Sequence, residues 1–453
     1  MQRRTLLAGA AALAATPSTV FAQAAGKTKI VFWHAMTGAN NDVINGIATD
    51  FNASQSAVEL EPVFKGSYPE TLTAAIAAWR AGQAPHVAQI YEVGTGSMLA
   101  AGAAVKQVWQ LAKETGLKID PAAYLPAVRG YYSLADGRMA SMPFNSSTGV
   151  MWYNKDAFET AGLDPEKPPA TWADFASTVH ALKAKWVGPA SAKAGNDVSP
   201  ATSSWFAWIQ LEEFSAIHNL PFASKEDGFE GLDTELKCNS PAHVKQLQMI
   251  LDLAKEGCFK YGGRDSTPDP LFYTGQAAIG FGSSAGRSDI VRNAKFKWAA
   301  AVLPYDPTLI KQPNNTIIGG ASLWTMTAPK RTEAEYKAVA SFLQFIGEPE
   351  QDAKFHQHTG YVPVTLAGYE LSKKQGYYET APGADVAIKS LTRGKVTENS
   401  RGLRLGRLPE IRNIVYEEVE KALQGQQNAK AALDSAVLRG NKVLREFQKS
   451  VHT

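Results

Sequence analysis

The sequence predicts an α/β protein of two lobes, each a mainly parallel sheet flanked by helices and joined to the other by crossing segments. Three observations carry that prediction. Apolar strands alternate with amphipathic helical stretches from residue 29 onward. The chain has 453 residues, more than one simple core accommodates. Finally, Pro143-Phe144-Asn145-Ser146-Ser147-Thr148-Gly149-Val150-Met151-Trp152-Tyr153-Asn154-Lys155-Asp156 runs from small polar groups into an apolar strand. It closes on a helix start that stops at Gly162, the pattern of a chain leaving one lobe for a second. A polar strand at such a crossing can present Asn145, Ser146, Ser147 and Thr148 to a cleft.

Taken in order, residues 29–34 read as a buried strand. Residues 41–52 read as a helix with Val43, Ile44, Ile47, Ala48 and Phe51 on one side. Residues 58–64 alternate like a second strand, with Val58, Leu60, Pro62 and Phe64 together. A loop at 65–68 leads to a helix at 71–81 that stops at Gly82, and 85–92 is a third strand. In parallel sheets ligands lie beyond the carboxyl ends of the strands, where Tyr68 and Glu92 fall. Farther on, Thr171-Trp172-Ala173-Asp174 has the form of a capping box. Residues 187–204 read as a loop, and 272–286 as a helix end, a short strand and a small-residue loop. Residues 317–324 are a candidate second crossing, 338–346 and 349–356 two helices, 359–364 a turn and strand. Helices also begin at Pro409 and near Ala429. The expected division is 1–22 as a leader, 23–143 with about 325–390 as one lobe, and 144–324 with about 391–453 as the other.

The leader is read from Arg3 and Arg4, an apolar run too short to span a bilayer, and the small-residue pattern Val20-Phe21-Ala22. Cleavage is expected after Ala22, with Ala24 as the alternative, which places the mature protein in the periplasm. The adjacent arginines fit a twin-arginine signal and a general secretory one equally. Net charge is +3, falling to +1 without Arg3 and Arg4, so there is no basic stripe for nucleic acid. Export permits disulfides, but Cys238 and Cys258 flank a stretch with an N-cap candidate at Ser240, Pro241 behind it and Gly257 as its stop. Sixteen helical residues separate their ends by about 24 Å, far beyond the roughly 7 Å a disulfide spans. Two free thiols are expected.

Three common catalytic or nucleotide-binding motifs are missing: there is no His-Glu-x-x-His, Walker loop or Cys-x-x-Cys. His356 and His358, the only close histidine pair, point apart at a helix end, and neither a metal nor a cofactor is expected. Binding residues are better represented. Arg404 stands between glycines in Gly402-Leu403-Arg404-Leu405-Gly406, and a guanidinium grips a phosphate or carboxylate with two parallel hydrogen bonds. Ser147, Ser283 and the Gly319-Gly320 amides are neutral donors suited to an oxyanion. Glu92 and Tyr68 can hydrogen-bond a polyol. Trp172, Trp205 and Tyr361 can pack against its carbon skeleton. Together they describe a polar cleft for a small anionic polyol.

Several stretches resemble a known family. Ala81-Gly82-Gln83-Ala84-Pro85-His86-Val87, Tyr153-Asn154-Lys155-Asp156 with Ala161-Gly162-Leu163, residues 169–172, residues 272–279 and Thr359-Gly360-Tyr361-Val362-Pro363 are similar to extracellular solute-binding proteins of ABC importers, relatives of maltose-binding protein. More narrowly, Phe64-Lys65-Gly66-Ser67-Tyr68, Tyr91-Glu92-Val93-Gly94-Thr95, residues 143–148, residues 317–324 and 402–406 resemble the branch that takes sn-glycerol 3-phosphate. The resemblance implies a non-enzymatic receptor that closes on glycerol 3-phosphate or a glycerophosphodiester such as glycerophosphocholine. It implies delivery to membrane permease subunits, and ligand contacts at Tyr68, Glu92, Ser147, Ser283, Gly320, Tyr361 and Arg404, with Trp172 packed on the glycerol. Arg404, Ser147, Ser283, Tyr361 and the Gly320 amide would serve the phosphate, Glu92 and Tyr68 the hydroxyls. Ser283-Ser284-Ala285-Gly286 departs from the family's order, so Ser284 is an alternative to Ser283. An oligosaccharide receptor and an exported glycerophosphodiester hydrolase are the competing readings.

Overall fold

Strand β1 (Thr28–His34) buries Ile30, Phe32 and His34 on one side, as its alternation requires. It pairs in parallel with β2 (Val58–Phe64) and β3 (Val87–Tyr91). The computed structural model describes residues 26–188 and 198–451. The leader and its cleavage site lie outside the described residues, as does 189–197 of the expected loop. Helix Gly38–Ser54 covers the sheet with Ile44, Ile47, Ala48 and Phe51. Helix Tyr68–Arg80 starts three residues earlier than expected, because Ser67 and Glu70 form a capping box with Pro69 in the first turn. Phe64 leaves the core at the end of β2 and is 49% exposed.

The first sheet continues through β4 (Val105–Lys106) and β5 (Met142–Ser147). The second holds β6 (Gly149–Asn154), β7 (Ser199–Ser203), β8 (Phe259–Lys260), β9 (Ala277–Ser283) and β10 (Trp298–Ala301). Strand β11 (Gly319–Met326) returns the chain to the first sheet, whose order is β2-β1-β3-β11-β4 with β5 also on β11; the second runs β10-β6-β9-β7-β8. Both sheets are mixed where mainly parallel ones were expected. β11 runs antiparallel to β3, β4 and β5, and β6 antiparallel to β9 and β10, because these strands carry the chain between sheets. The expected boundaries at 143/144 and 324/325 fall inside β5 and β11, both members of the first sheet. The chain changes sheets at Thr148 and again just before Gly319.

One buried carboxylate joins the two crossings. Glu213 Oε1 accepts from Gly149 N at 3.0 Å and Thr148 Oγ1 at 3.2 Å, and Oε2 accepts from Ile317 N at 2.9 Å. Apolar residues fill two clusters, one around β1 and helix Glu333–Ile346, the other around β9 and the C-terminal helices Leu408–Leu423 and Ala429–Val451. Several local signals hold. Thr171 and Asp174 cap helix Trp172–Lys185, Asn154 caps the helix that Gly162 ends at φ +75°, and Cys238 and Cys258 are free and buried on either side of helix Pro241–Lys255. Part of the expected loop is instead β7. Residues around Tyr361 form no strand. No described helix is long and apolar enough to cross a membrane.

Candidate functional site

A cavity of about 200 Å³ opens between the two sheets, below the roughly 300–1,000 Å³ of sites for drug-sized ligands. The carboxyl ends of β1, β2 and β3 supply Ala35, Met36, Ser67, Tyr68, Tyr91 and Glu92. The crossings supply Ser147, Gly319 and Gly320, and the second sheet's side supplies Trp205, Trp208, Asp265, Asp269 and Ser283. Tyr361 and Arg412 complete the ring. Of the residues singled out in the sequence, Tyr68, Glu92, Ser147, Trp205, Ser283, Gly319, Gly320 and Tyr361 meet here.

Tyr68 is placed by a chain of hydrogen bonds. Ala35 N donates to Gln89 Oε1, Gln89 Nε2 to Asn145 Oδ1, and Asn145 Nδ2 to the Tyr68 hydroxyl, each at 2.8 Å. Tyr68 Oη lies 3.2 Å from Tyr361 Oη, and its ring stacks on Tyr91 at 5.3 Å. Burial first, and the neighbouring Tyr361 next, raise the Tyr68 pKa well above 10, so it faces the cavity as a neutral hydroxyl. Tyr361 is fixed by its backbone. Its carbonyl accepts from His356 Nδ1 at 2.5 Å, and Val362 N donates to Ser146 O at 2.8 Å. Burial holds His356 down at about 4, so the imidazole is neutral and its Nε2 accepts from Tyr378 Oη at 2.8 Å. His358 turns the other way, to the Lys354 carbonyl.

Gly320 sits at φ +88°, and a Cβ there would lie 1.8 Å from the Asn145 carbonyl oxygen; one on Gly319 would meet the Trp208 ring at 2.6 Å. Only glycine lets backbone and indole approach so closely. Ser147 lines the cavity, although the residue is only 2% exposed. Ser283 Oγ accepts from Ala285 N at 3.2 Å, which leaves its hydrogen for a ligand. Ser284 is buried, with its hydroxyl against Thr148 N, and does not line the cavity, whereas Ser283 does.

Arg404 and Trp172 are corrections. The Arg404 guanidinium donates to the carbonyls of Tyr131 and Ser133, lies 4.2 Å over Phe229 and does not reach the cavity. Its flanking glycines serve packing: a Cβ on Gly402 would sit 2.5 Å from the Tyr131 ring, and one on Gly406 1.9 Å from Phe447. Trp172 is core, edge-on to Phe175 at 5.6 Å and 5.5 Å from Phe281. Trp205 and Trp208 take the wall instead. Trp205 holds φ +49°, a genuine outlier for so bulky a residue, with its N–H on the Asp265 carbonyl at 2.7 Å.

The cation that faces the cavity is Arg412, on helix Leu408–Leu423. Its Nε and Nη2 donate to the two oxygens of Glu212 at 2.7 Å each, and Nη2 also donates to Glu92 Oε1 at 3.0 Å. Burial opposes its charge, but Glu212 and Glu92 outweigh that and raise its pKa, so it stays a guanidinium. Burial lifts Glu92 to about 7 against the pull of Arg412, with Glu212 adding to the rise. Asp269 is likewise lifted to about 7 by burial. The sequence did hold a signal for Arg412: it stands among Ile411, Ile414 and Val415 on the buried face of an amphipathic helix, where a charge requires a partner. Among the described residues, one group with metal-ligand chemistry occurs, His180, Glu256 and Cys258, and it does not line this cavity.

Residues 46–382 match the family model for bacterial extracellular solute-binding proteins. The chain is 45% identical over 430 residues to the sn-glycerol-3-phosphate-binding periplasmic protein UgpB of Pectobacterium atrosepticum, covering 95% of this chain and 94% of that one. Against the protein of the same name from Salmonella paratyphi A the identity is 43%, with 99% and 98% covered. In fold it is similar to UgpB from Mycobacterium tuberculosis in complex with glycerophosphocholine (TM-score 0.76, 22% identity, 93% and 100% covered). It is also similar to the maltodextrin-binding domain MalE from Bdellovibrio bacteriovorus bound to maltotriose (TM-score 0.73, 15% identity, 92% and 100% covered). By its sequence, its two sheets and the cavity between them, the chain belongs to the bacterial extracellular solute-binding protein family.

Proposed function

We propose that the protein is the periplasmic receptor of an ABC importer, capturing sn-glycerol 3-phosphate or a glycerophosphodiester such as glycerophosphocholine and passing it to a membrane permease. It acts as a binder and not as an enzyme. The observation that carries the reading is Arg412, a buried cation turned to a small cavity whose other walls offer neutral donors at Ser147, Ser283 and Tyr361. The names of relatives that match nearly the whole chain support it. In this reading Arg412, in place of Arg404, takes the phosphate with those hydroxyls and the Gly320 amide. Glu92 and Tyr68 take the glycerol hydroxyls, and Trp205 and Trp208 flank the carbon skeleton.

The lobes we assign are the two sheets with their helices, hinged at Thr148 and just before Gly319. A ligand touching both would favour the closed state, because it binds that state more tightly than the open one. Calorimetry with glycerol 3-phosphate and glycerophosphocholine tests the reading, and silence with both rejects it. Displacement by maltose-like sugars and not by phosphate esters would move the protein to the oligosaccharide receptors. Release of glycerol 3-phosphate from glycerophosphocholine would make it a hydrolase.

A further inference from the structure

The helix that follows Trp205 contains a five-residue π turn, Trp208–Glu212, closed by the Glu213 N–H on the Trp208 carbonyl. Such turns hold one residue more than an α-helical turn and recur at functional sites. Here three side chains at its ends do three different things. Trp208 reaches the cavity wall, Glu213 meets both crossings, and Glu212 meets Arg412. Glu212 is 2% exposed and does not line the cavity. It grips one edge of the guanidinium, Nε and Nη2, through both of its oxygens. The remaining nitrogen, Nη1, has no hydrogen-bond partner among the described residues, and Arg412 is part of the cavity wall.

We propose that Glu212 is a positioning residue for the ligand: by holding the Nε–Nη2 edge of Arg412 it turns Nη1 to the cavity, where an anionic oxygen of the ligand meets it. This rests on the reading of the cavity as an anion site. Geometry separates Glu212 from the other carboxylate on Arg412. Glu92 makes one contact, at 3.0 Å, and itself lines the cavity, so it can trade Arg412 for a ligand hydroxyl. Glu212 makes two at 2.7 Å and has no route to the ligand. An arginine already gripped has little rotamer freedom left to lose on binding, which is how preorganisation adds affinity.

Glu212 also cancels the charge of Arg412, and that gives the proposal a decisive sign. Were cancellation its only effect, Glu212→Gln would strengthen the hold on an anion. Positioning requires the opposite. The test is calorimetry of glycerol 3-phosphate with the parent protein, Glu212→Gln and Glu212→Asp, alongside ¹⁵N–¹H spectra of the arginine Nε–H groups. The Arg412 resonance is identified by its loss in Arg412→Lys. The expected result is a slowly exchanging Arg412 Nε–H in the parent that shifts or vanishes in Glu212→Gln, with the dissociation constant raised roughly 10- to 100-fold. Glu212→Asp, which keeps the charge but loses reach, weakens binding too, and it carries the comparison if the glutamine variant does not fold. Binding by the variants within threefold of the parent, or tighter, overturns the proposal, as does an Arg412 signal indifferent to the substitution. A parent that binds neither glycerol 3-phosphate nor glycerophosphocholine, while its Arg412 Nε–H stays protected, overturns the anion reading and this proposal with it, but leaves the Glu212–Arg412 grip standing.

Discussion

Replacing Glu213 by Gln exchanges one oxygen for nitrogen at the point where both crossings meet. Glu213 is fully buried and accepts from Gly149 N, Ile317 N and Thr148 Oγ1. Burial, opposed by those donors, pushes its carboxyl from 4.5 up to about 8. The folded chain thus keeps a proton that the unfolded chain has already lost. Stability from this group is greatest below about pH 4.5, falls as pH rises to about 8, and is level above that. At about 1.4 kcal/mol per pH unit the fall is on the order of 5 kcal/mol. Glutamine does not titrate, so Glu213→Gln lacks this slope. It offers one acceptor oxygen to two backbone amides, which costs about 1–3 kcal/mol for the amide left unmet. The variant should therefore be less stable than the parent at pH 5, with the deficit shrinking or reversing by pH 9. Urea unfolding of both proteins at pH 5, 7 and 9 measures this. Glu92, Asp227 and Asp269 are raised to about 7 and Asp352 to about 6, all by burial first, so only the difference between the two profiles isolates Glu213. Parallel profiles would refute the reasoning.

The two arginines should separate cleanly. Arg404→Ala lowers the thermal midpoint and leaves affinity for glycerol 3-phosphate within threefold, whereas Arg412→Lys keeps the charge, loses the fork and weakens binding at least about tenfold in calorimetry. The tryptophans divide likewise: Trp172→Ala costs about 3–5 kcal/mol in urea unfolding as a core truncation, while Trp205→Ala chiefly raises the dissociation constant. Gly320→Ala places a methyl on the Asn145 carbonyl at positive φ, a backbone cost of at least about 1–2 kcal/mol before the overlap is counted, so its urea midpoint should drop and its binding fail together.

Much of the cavity lining was legible because its residues sit at places that local pattern defines. Tyr68 and Glu92 follow parallel strands, Ser147 and Gly320 lie where the chain changes sheets, and Ser283 ends β9. Arg404 misled because glycines beside an arginine read as ligand access, while here they admit the rings of Tyr131 and Phe447. Trp172 misled because a tryptophan beside a helix cap carries no mark of which side it faces; it faces Phe175 and Phe281.

The amino-acid order alone set the local architecture: which segments extend, where caps begin helices, and where glycine ends them. Those choices are made by neighbours a few residues apart, through alternation, capping hydrogen bonds and backbone sterics. The choice of cation and the union of the crossings were made elsewhere. Arg412 acquires its role from Glu212, 200 positions away, and from Glu92, 320 away, and Glu213 joins amides that are 168 residues apart from each other. A buried charge is tolerated only where the fold supplies its partners, and no local stretch of this chain contains both members of either arrangement.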